Sequence, residues 1–445
     1  MGEGLLTVGS PAGQGAGAGT LLAEAGLVRK GPSLVVEGVR LSEIAERVGT
    51  PAYVYTLPVI RARYAALDAA LAAVPHRICF AIKANGNLGV LRAFKELGAG
   101  AGIVSGGELA RALAAGFPPE RIVFSGVGKS DAELVAAVEA GVGHVHLESG
   151  AELAALAAIV ERRGRPLRVG VRVNPDVTAD THPYIATGRG GIKFGVPIDQ
   201  VLPLALEVGR HPLLTLDTLA MHIGSQLLDP RPYREGVERL LELVAALRAA
   251  GVTTLQSLDI GGGLGIRYRD EEPLAPATLM QALLPRIRES GLALVLEPGR
   301  YLVGSAGVLL TEVLSRKHSG GKDLVIVDAG MNDLVRPSHY KAYHEIVELE
   351  ARGGAVLPVD VVGPVCETGD FLALDRVLPP LERGDRLALL GAGAYGFVMS
   401  SNYNSRPRAA EVIVDQDRWW VARARESIED LYRGEHADPE SAEAP

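Results

Sequence analysis

Between residues 57 and 305, short apolar runs alternate with longer stretches in which apolar residues return every three or four positions. The short runs, 77–83, 102–105, 122–125, 144–148, 168–174, 216–222, 257–260 and 294–297, have the length and flanking turn formers of buried strands. The longer stretches, among them 88–97, 108–115, 131–140, 151–163 and 233–250, carry one apolar face and predict helices. Such alternation implies a parallel sheet with helices outside, and eight strands imply a closed (β/α)8 TIM barrel. Elsewhere the helical alternation stops. Runs at 34–39, 52–55, 307–314, 324–328, 371–377, 386–390, 411–414 and 419–422 predict strands, with a short helix at 41–48. The expected fold class is α/β, with the barrel over 57–305 inserted into a second, all-β domain, of sandwich or barrel type, built from 21–56 and 306–430. Residues 1–20, rich in Gly and Ala, and the acidic 431–445 bury too little apolar surface to offset their ordering entropy and are expected to be disordered tails.

Composition narrows the chemistry. The 445 residues are 47% hydrophobic and 22% charged, with a net charge of −8, which disfavours a nucleic-acid surface and favours a small-molecule substrate. No apolar run reaches the length of a membrane span and no basic segment leads into an apolar one at the N-terminus, so no membrane partner and a cytoplasmic location are expected. Two cysteines, Cys79 and Cys366, make neither a disulfide framework nor a metal-ligand pattern, and no metal is expected.

In a barrel of this kind the chemistry gathers at the C-terminal ends of the strands, here Lys83, Ser105, Glu148, Asn174, His222, Gly261 and Glu297. A partly desolvated Lys83 would have a lowered pKa and act as a Schiff-base amine, although taken alone it reads as a solvated strand-end lysine, and the rest of the chain reverses that reading. The run from Gly261 to Gly265 suits either backbone amides converging on a phosphate or a tight turn. Glu297 suits either the ring nitrogen of a pyridine cofactor or an ion pair with Arg300. His222 suits stacking on a ring or a place in the core, with Ser225 near enough in sequence to donate to a phosphate. Three clusters in the β domain mix turn formers with reactive side chains: 336–340, 366–370 and 391–396.

Phe80-Ala-Ile-Lys-Ala-Asn85, Ser105-Gly-Gly-Glu-Leu109, His222-Ile-Gly-Ser225, Gly261 to Gly265, Glu297-Pro-Gly-Arg300, Arg336-Pro337 with Tyr340, Cys366-Glu367 and Tyr395 together resemble, in order and spacing, the diaminopimelate decarboxylase family. The resemblance implies the alanine-racemase-like fold of type III pyridoxal-phosphate enzymes. It also implies decarboxylation of meso-2,6-diaminopimelate to L-lysine, the last step of lysine biosynthesis. It places the cofactor, pyridoxal 5'-phosphate, on Lys83, with His222 stacking on its ring, Glu297 at its nitrogen, and phosphate contacts from Ser225, Gly262, Gly263, Gly299 and Arg300. Arg300, Arg336 and Tyr340 would hold the distal carboxylate of the amino-acid substrate, Glu367 its distal ammonium, and Tyr395 would touch both cofactor and substrate. Cys366 would be the proton donor, reaching the site from a second subunit, which implies a homodimer with shared active sites.

Two positions depart from the family pattern: Gly102, where Asp is frequent, and Ile192, where Ser is usual before Lys193-Phe194-Gly195. Both bear on local cofactor or loop contacts. Competing readings are a decarboxylase of ornithine, lysine or arginine, a racemase on the same fold, and a non-catalytic cofactor-binding homologue. Two arginines beside one glutamate favour a substrate with a distal carboxylate, because planar guanidiniums suit carboxylates.

Overall fold

The computed structural model describes residues 17–178, 188 and 191–436. Eight parallel strands, His76–Ala81, Gly100–Ile103, Ile122–Phe124, His144–Leu147, Leu167–Asn174, Leu214–Ala220, Ser257–Asp259 and Ala293–Leu296, pair in chain order. The eighth closes on the first through Leu294 opposite His76 and Leu296 opposite Ile78. Strand residues are buried on both faces because the barrel interior and the outer helices each cover one. Phe80, on the first strand, stacks on Phe94 of the following helix with ring centroids 4.1 Å apart.

The helices start where side-chain caps replace the missing backbone acceptors. Asn87, Ser105 and Ser149 each accept from an amide in the first turn of their helix. Ser130 and Glu133 form a reciprocal capping box, and Glu133 also accepts from the Gly106 amide at 2.7 Å, which fixes two neighbouring βα loops together.

Strand Ala52–Thr56 precedes the barrel in sequence yet lies in the other sheet. It is antiparallel to Gly307–Ser319 and parallel to Ala410–Asp415. The chain therefore leaves this sheet, forms the barrel, and returns.

Several local expectations differ from what is observed. The run 34–39 is two strands, Ser33–Val36 and Val39–Arg40, because Glu37 and Gly38 turn the chain at φ 49° and 89°. Strands Leu27–Lys30, Ile346–Glu348 and Leu357–Val362 had no counterpart in the hydrophobic pattern. Residues 17–20, expected in a disordered tail, begin helix Gly17–Glu24, whose Leu21 is buried in a cluster with Leu27, Leu34, Val54 and Val308. The second expected tail starts inside the turn Glu429–Leu431. Residues 1–16 and 437–445, the rest of those tails, lie outside the described residues. Among the described residues no helix is long and apolar enough to cross a membrane.

Candidate active site

A cavity of about 820 Å³ opens at the C-terminal mouth of the barrel, where the β domain closes over it. Lys83 lines it, two residues beyond the end of the first strand rather than within it. The first strand stops at Ala81, and the apolar run continues into the turn Ile82–Ala84, whose flanking side chains are buried while Lys83 is exposed to the cavity. The expected partial burial of this lysine is not observed. The turn is held from both sides: the Tyr395 amide donates to Ala84 O at 2.9 Å, Asn85 Nδ2 to Gly393 O at 3.0 Å, and the Ala81 amide to Pro298 O at 3.1 Å.

The glycine run needs its glycines for close packing. A Cβ on Gly262 would lie 2.3 Å from Glu297 O, and one on Gly263, at φ +115°, 2.7 Å from Gly224 O. Three strand ends thereby converge on one point. Gly262 N donates to His222 Nδ1 at 3.3 Å, so that nitrogen is an acceptor. Burial, with the Lys83 and Arg172 charges nearby, holds the His222 imidazole well below its usual pKa. A neutral, flat ring results.

Glu297 follows the eighth strand directly. Its Oε1 accepts from Ser125 Oγ at 3.0 Å, and that hydroxyl also meets His146 Nδ1 at 3.1 Å. His146 stays neutral, since burial dominates the neighbouring positive charges in lowering its pKa. Asp259, fully buried, is pushed well above the carboxylate range by burial and then by the charge of Glu297. Ligand-type atoms of His146, Asp259 and Glu297 lie within 4.8 Å of one another. At Gly102 a Cβ would come 2.5 Å from Glu297 Oε2. This departure from the family pattern makes room for the carboxylate.

At the opposite wall, Arg300 and Arg336 are both buried and both donate through Nη1 to Tyr268 Oη at 2.6 Å. Their nitrogens thus lie within about 5 Å of each other, where like charges repel by roughly 3 kcal/mol at an effective dielectric of about 20. Among the described residues neither makes a salt bridge to a carboxylate. Arg300 Nη2 also donates to Ser225 Oγ at 3.0 Å, and its guanidinium lies over the Tyr395 ring at 4.9 Å.

His344 packs edge-on against Tyr268 with ring centroids 5.5 Å apart. Its Nδ1 donates to Leu390 O at 2.8 Å, and burial, then the Arg336 charge, push its pKa down to about 3. Above the unfolded value of about 6.5 the ring is neutral in both states and its contribution to stability is complete. As pH falls from there towards 3, the unfolded state takes a proton the native state refuses, so stability is lost at up to about 1.4 kcal/mol per pH unit. His344→Gln should flatten the fall of the urea midpoint between pH 6.5 and 4 by about one proton's worth of slope; equal slopes would show that His344 does not titrate this way.

All the residues singled out from sequence line this cavity except five. Three belong to the strand-end set and are used structurally. Ser105 caps a helix, Glu148 pairs with Arg172 at 2.7 Å and accepts the Gly195 amide, and Asn174 Nδ2 donates to Phe194 O. The other two are Cys366 and Glu367, both exposed and outside the lining. Their loop is held by Asp370, which accepts the Val365 amide at 2.6 Å, and by Asn404, which accepts the Cys366 amide at 2.7 Å. Ser125, His146, Asp259, Tyr268 and His344 were not singled out. Ser125 closes the third apolar run, Asp259 stands two residues before the glycine run and Tyr268 three after it, so these three had a signal in their positions.

The donor set suits pyridoxal phosphate: an exposed primary amine for the aldehyde, a carboxylate for the ring nitrogen, a neutral ring beside them, and a glycine turn with a serine for the phosphate. A barrel enzyme of amino-acid chemistry built on that cofactor is the class these features define, and residues 57–304 match the family model for the pyridoxal binding domain of pyridoxal-dependent decarboxylases. The diaminopimelate decarboxylase of Pseudomonas aeruginosa is 50% identical over 407 residues, covering 92% of this chain and 98% of that one. Two solved structures of diaminopimelate decarboxylase superpose closely. The Helicobacter pylori protein, complexed with L-lysine, has a TM-score of 0.85 at 40% identity, covering 88% of this chain and 98% of that one. The M. jannaschii protein has a TM-score of 0.89 at 32% identity, covering 94% and 99%. The chain belongs to the diaminopimelate decarboxylase family.

Proposed function

We propose that the protein decarboxylates meso-2,6-diaminopimelate to L-lysine, with pyridoxal phosphate bound through Lys83, as a homodimer whose two active sites each draw on both subunits. The observation that carries this reading is the pair of buried guanidiniums, Arg300 and Arg336, with no carboxylate counter-ion among the described residues, in the same cavity as Lys83. A substrate ending in an alkylammonium alone would be repelled there; one ending in a carboxylate neutralises the pair. A place in lysine biosynthesis follows from the product, and a cytoplasmic location from that role.

When bound, the cofactor takes up the electron pair released as carbon dioxide leaves. Lys83 Nζ, exposed to the cavity, would hold the cofactor's aldehyde carbon. Glu297, held by Ser125, keeps a proton at the ring nitrogen. His222, neutral, covers the ring face without competing for that proton. Ser225, Gly262, Gly263, Gly299 and Arg300 hold the phosphate end. Arg300, Arg336 and Tyr340 orient the distal carboxylate, and Tyr395 bridges the two halves of the cavity. Cys366 Sγ returns a proton to the α-carbon, and Glu367 pairs with the distal ammonium. The exposure of both, away from their own chain's cavity, supports their acting at the site of the second subunit.

Glu367→Gln keeps the side-chain shape and removes the charge. In the assembled dimer it should lower kcat/KM for diaminopimelate by about 30-fold or more, the usual effect of leaving one partner of a buried charged pair alone. An unchanged kcat/KM would reject the pairing with the distal ammonium.

A further inference from the structure

Two arginines explain how a carboxylate is recognised, but not how two like charges stay side by side before it arrives. Tyr268 is the group between them. Its ring lies against both guanidiniums, at 5.7 Å from that of Arg300 and 4.6 Å from that of Arg336, and its oxygen accepts from both at 2.6 Å. Among the described residues no acceptor takes the phenol's own hydrogen. Arg300 Nε, buried, likewise has no partner there. Behind the ring, His344 fixes its tilt and lies 3.5 Å through Nε2 from Arg336 Nη1.

We propose that Tyr268 is the positioning residue of the distal-carboxylate subsite: its oxygen gathers Arg300 and Arg336 into one fork, stands in for the substrate carboxylate between turnovers, and so sets the preference for a diamino acid with a distal carboxylate over one without. The inference rests on the reading of the reaction given above. Burial by itself would raise the phenol's pKa, but the two guanidiniums outweigh it and hold it below the usual value, which fits an oxygen that accepts from both. A substrate carboxylate then exchanges for the phenol oxygen with little rearrangement, since the fork is already assembled. Without the tyrosine the two side chains would splay apart, and a binding carboxylate would have to bring them together.

The test is Tyr268→Phe in the cofactor-loaded dimer, which keeps the ring and removes the oxygen. KM for meso-diaminopimelate should rise about tenfold or more, with kcat changed by less than about threefold, as expected when binding itself must gather the two arginines. Cadaverine, which has both amines of the product but no carboxylate, should bind with affinity within about twofold of wild type. An unchanged KM in an active variant, or equal weakening towards both ligands, overturns the proposal. A second measurement needs no variant: pimelate, a dicarboxylate without amines, should alter the near-ultraviolet absorbance of tyrosine in the wild-type protein as it displaces the Tyr268 hydroxyl, and saturating pimelate with no such change overturns it. Turnover of diaminopimelate by wild type in the same series tests the reaction itself, so failure of that reading is distinguishable from failure of the role given to Tyr268.

Discussion

Replacing Lys83 by alanine should abolish the visible absorbance of the protein loaded with pyridoxal phosphate and lower decarboxylation by about a thousandfold or more. The expectation follows from geometry. Lys83 projects into the cavity from a turn pinned to the barrel by Pro298 and to the β domain by Gly393 and Tyr395, so its amine is placed by backbone contacts on two sides. The substitution leaves those contacts intact, because they are made by Ala81, Ala84 and Asn85. The fold and the melting temperature should change little while the chemistry is lost. Retained absorbance would remove the lysine from its role.

Mixing two inactive variants should restore activity. On the proposed mechanism Lys83→Ala lacks the cofactor attachment and Cys366→Ala the proton donor. Cys366 is exposed and absent from the lining of its own chain's cavity, as expected if it serves the site of a neighbour. If each site takes Lys83 from one chain and Cys366 from its partner, a mixed dimer has one site with both defects and one with none. With random subunit exchange half of the dimers are mixed, and about a quarter of wild-type activity should return. Tagged subunits show whether exchange has occurred. Full exchange with no recovery would place Cys366 in its own chain's site or outside the reaction.

The barrel was legible because its signal is repeated: eight apolar runs, each followed by a stretch of different periodicity, leave few alternatives. The ends of those runs were less so. At Lys83 and His222 the strand stops two residues earlier than the apolar pattern, since Ile82, Ala84, Met221 and Ile223 are buried in turns rather than in the sheet, and burial leaves the same mark on sequence in both. Strand Leu357–Val362 escaped notice because Pro358 interrupts the pattern, and Ile346–Glu348 because it is short. The residues to which the family resemblance gives a role converge on one cavity apart from the Cys366-Glu367 pair. The residues that orient them were hidden. Ser125 directly follows the third strand, His146 sits on the fourth as an ordinary strand position, and Asp259 precedes the glycines as any strand residue might. Tyr268 matters only because the loop after the glycines carries it between two arginines that lie 32 and 68 positions away in the chain. Such pairings are fixed by topology, which no local pattern records.

The central claim is tested most directly by giving the purified, cofactor-loaded protein meso-diaminopimelate, L-lysine, L-ornithine and L-arginine in parallel and measuring carbon dioxide and the amine product from each. Carbon dioxide and L-lysine should appear in equal amounts from diaminopimelate, with kcat/KM exceeding that for the other three by at least about a hundredfold, because only that substrate can set one carboxylate on the arginine pair while losing another. Comparable or faster release from lysine, ornithine or arginine, or none from diaminopimelate, would contradict it.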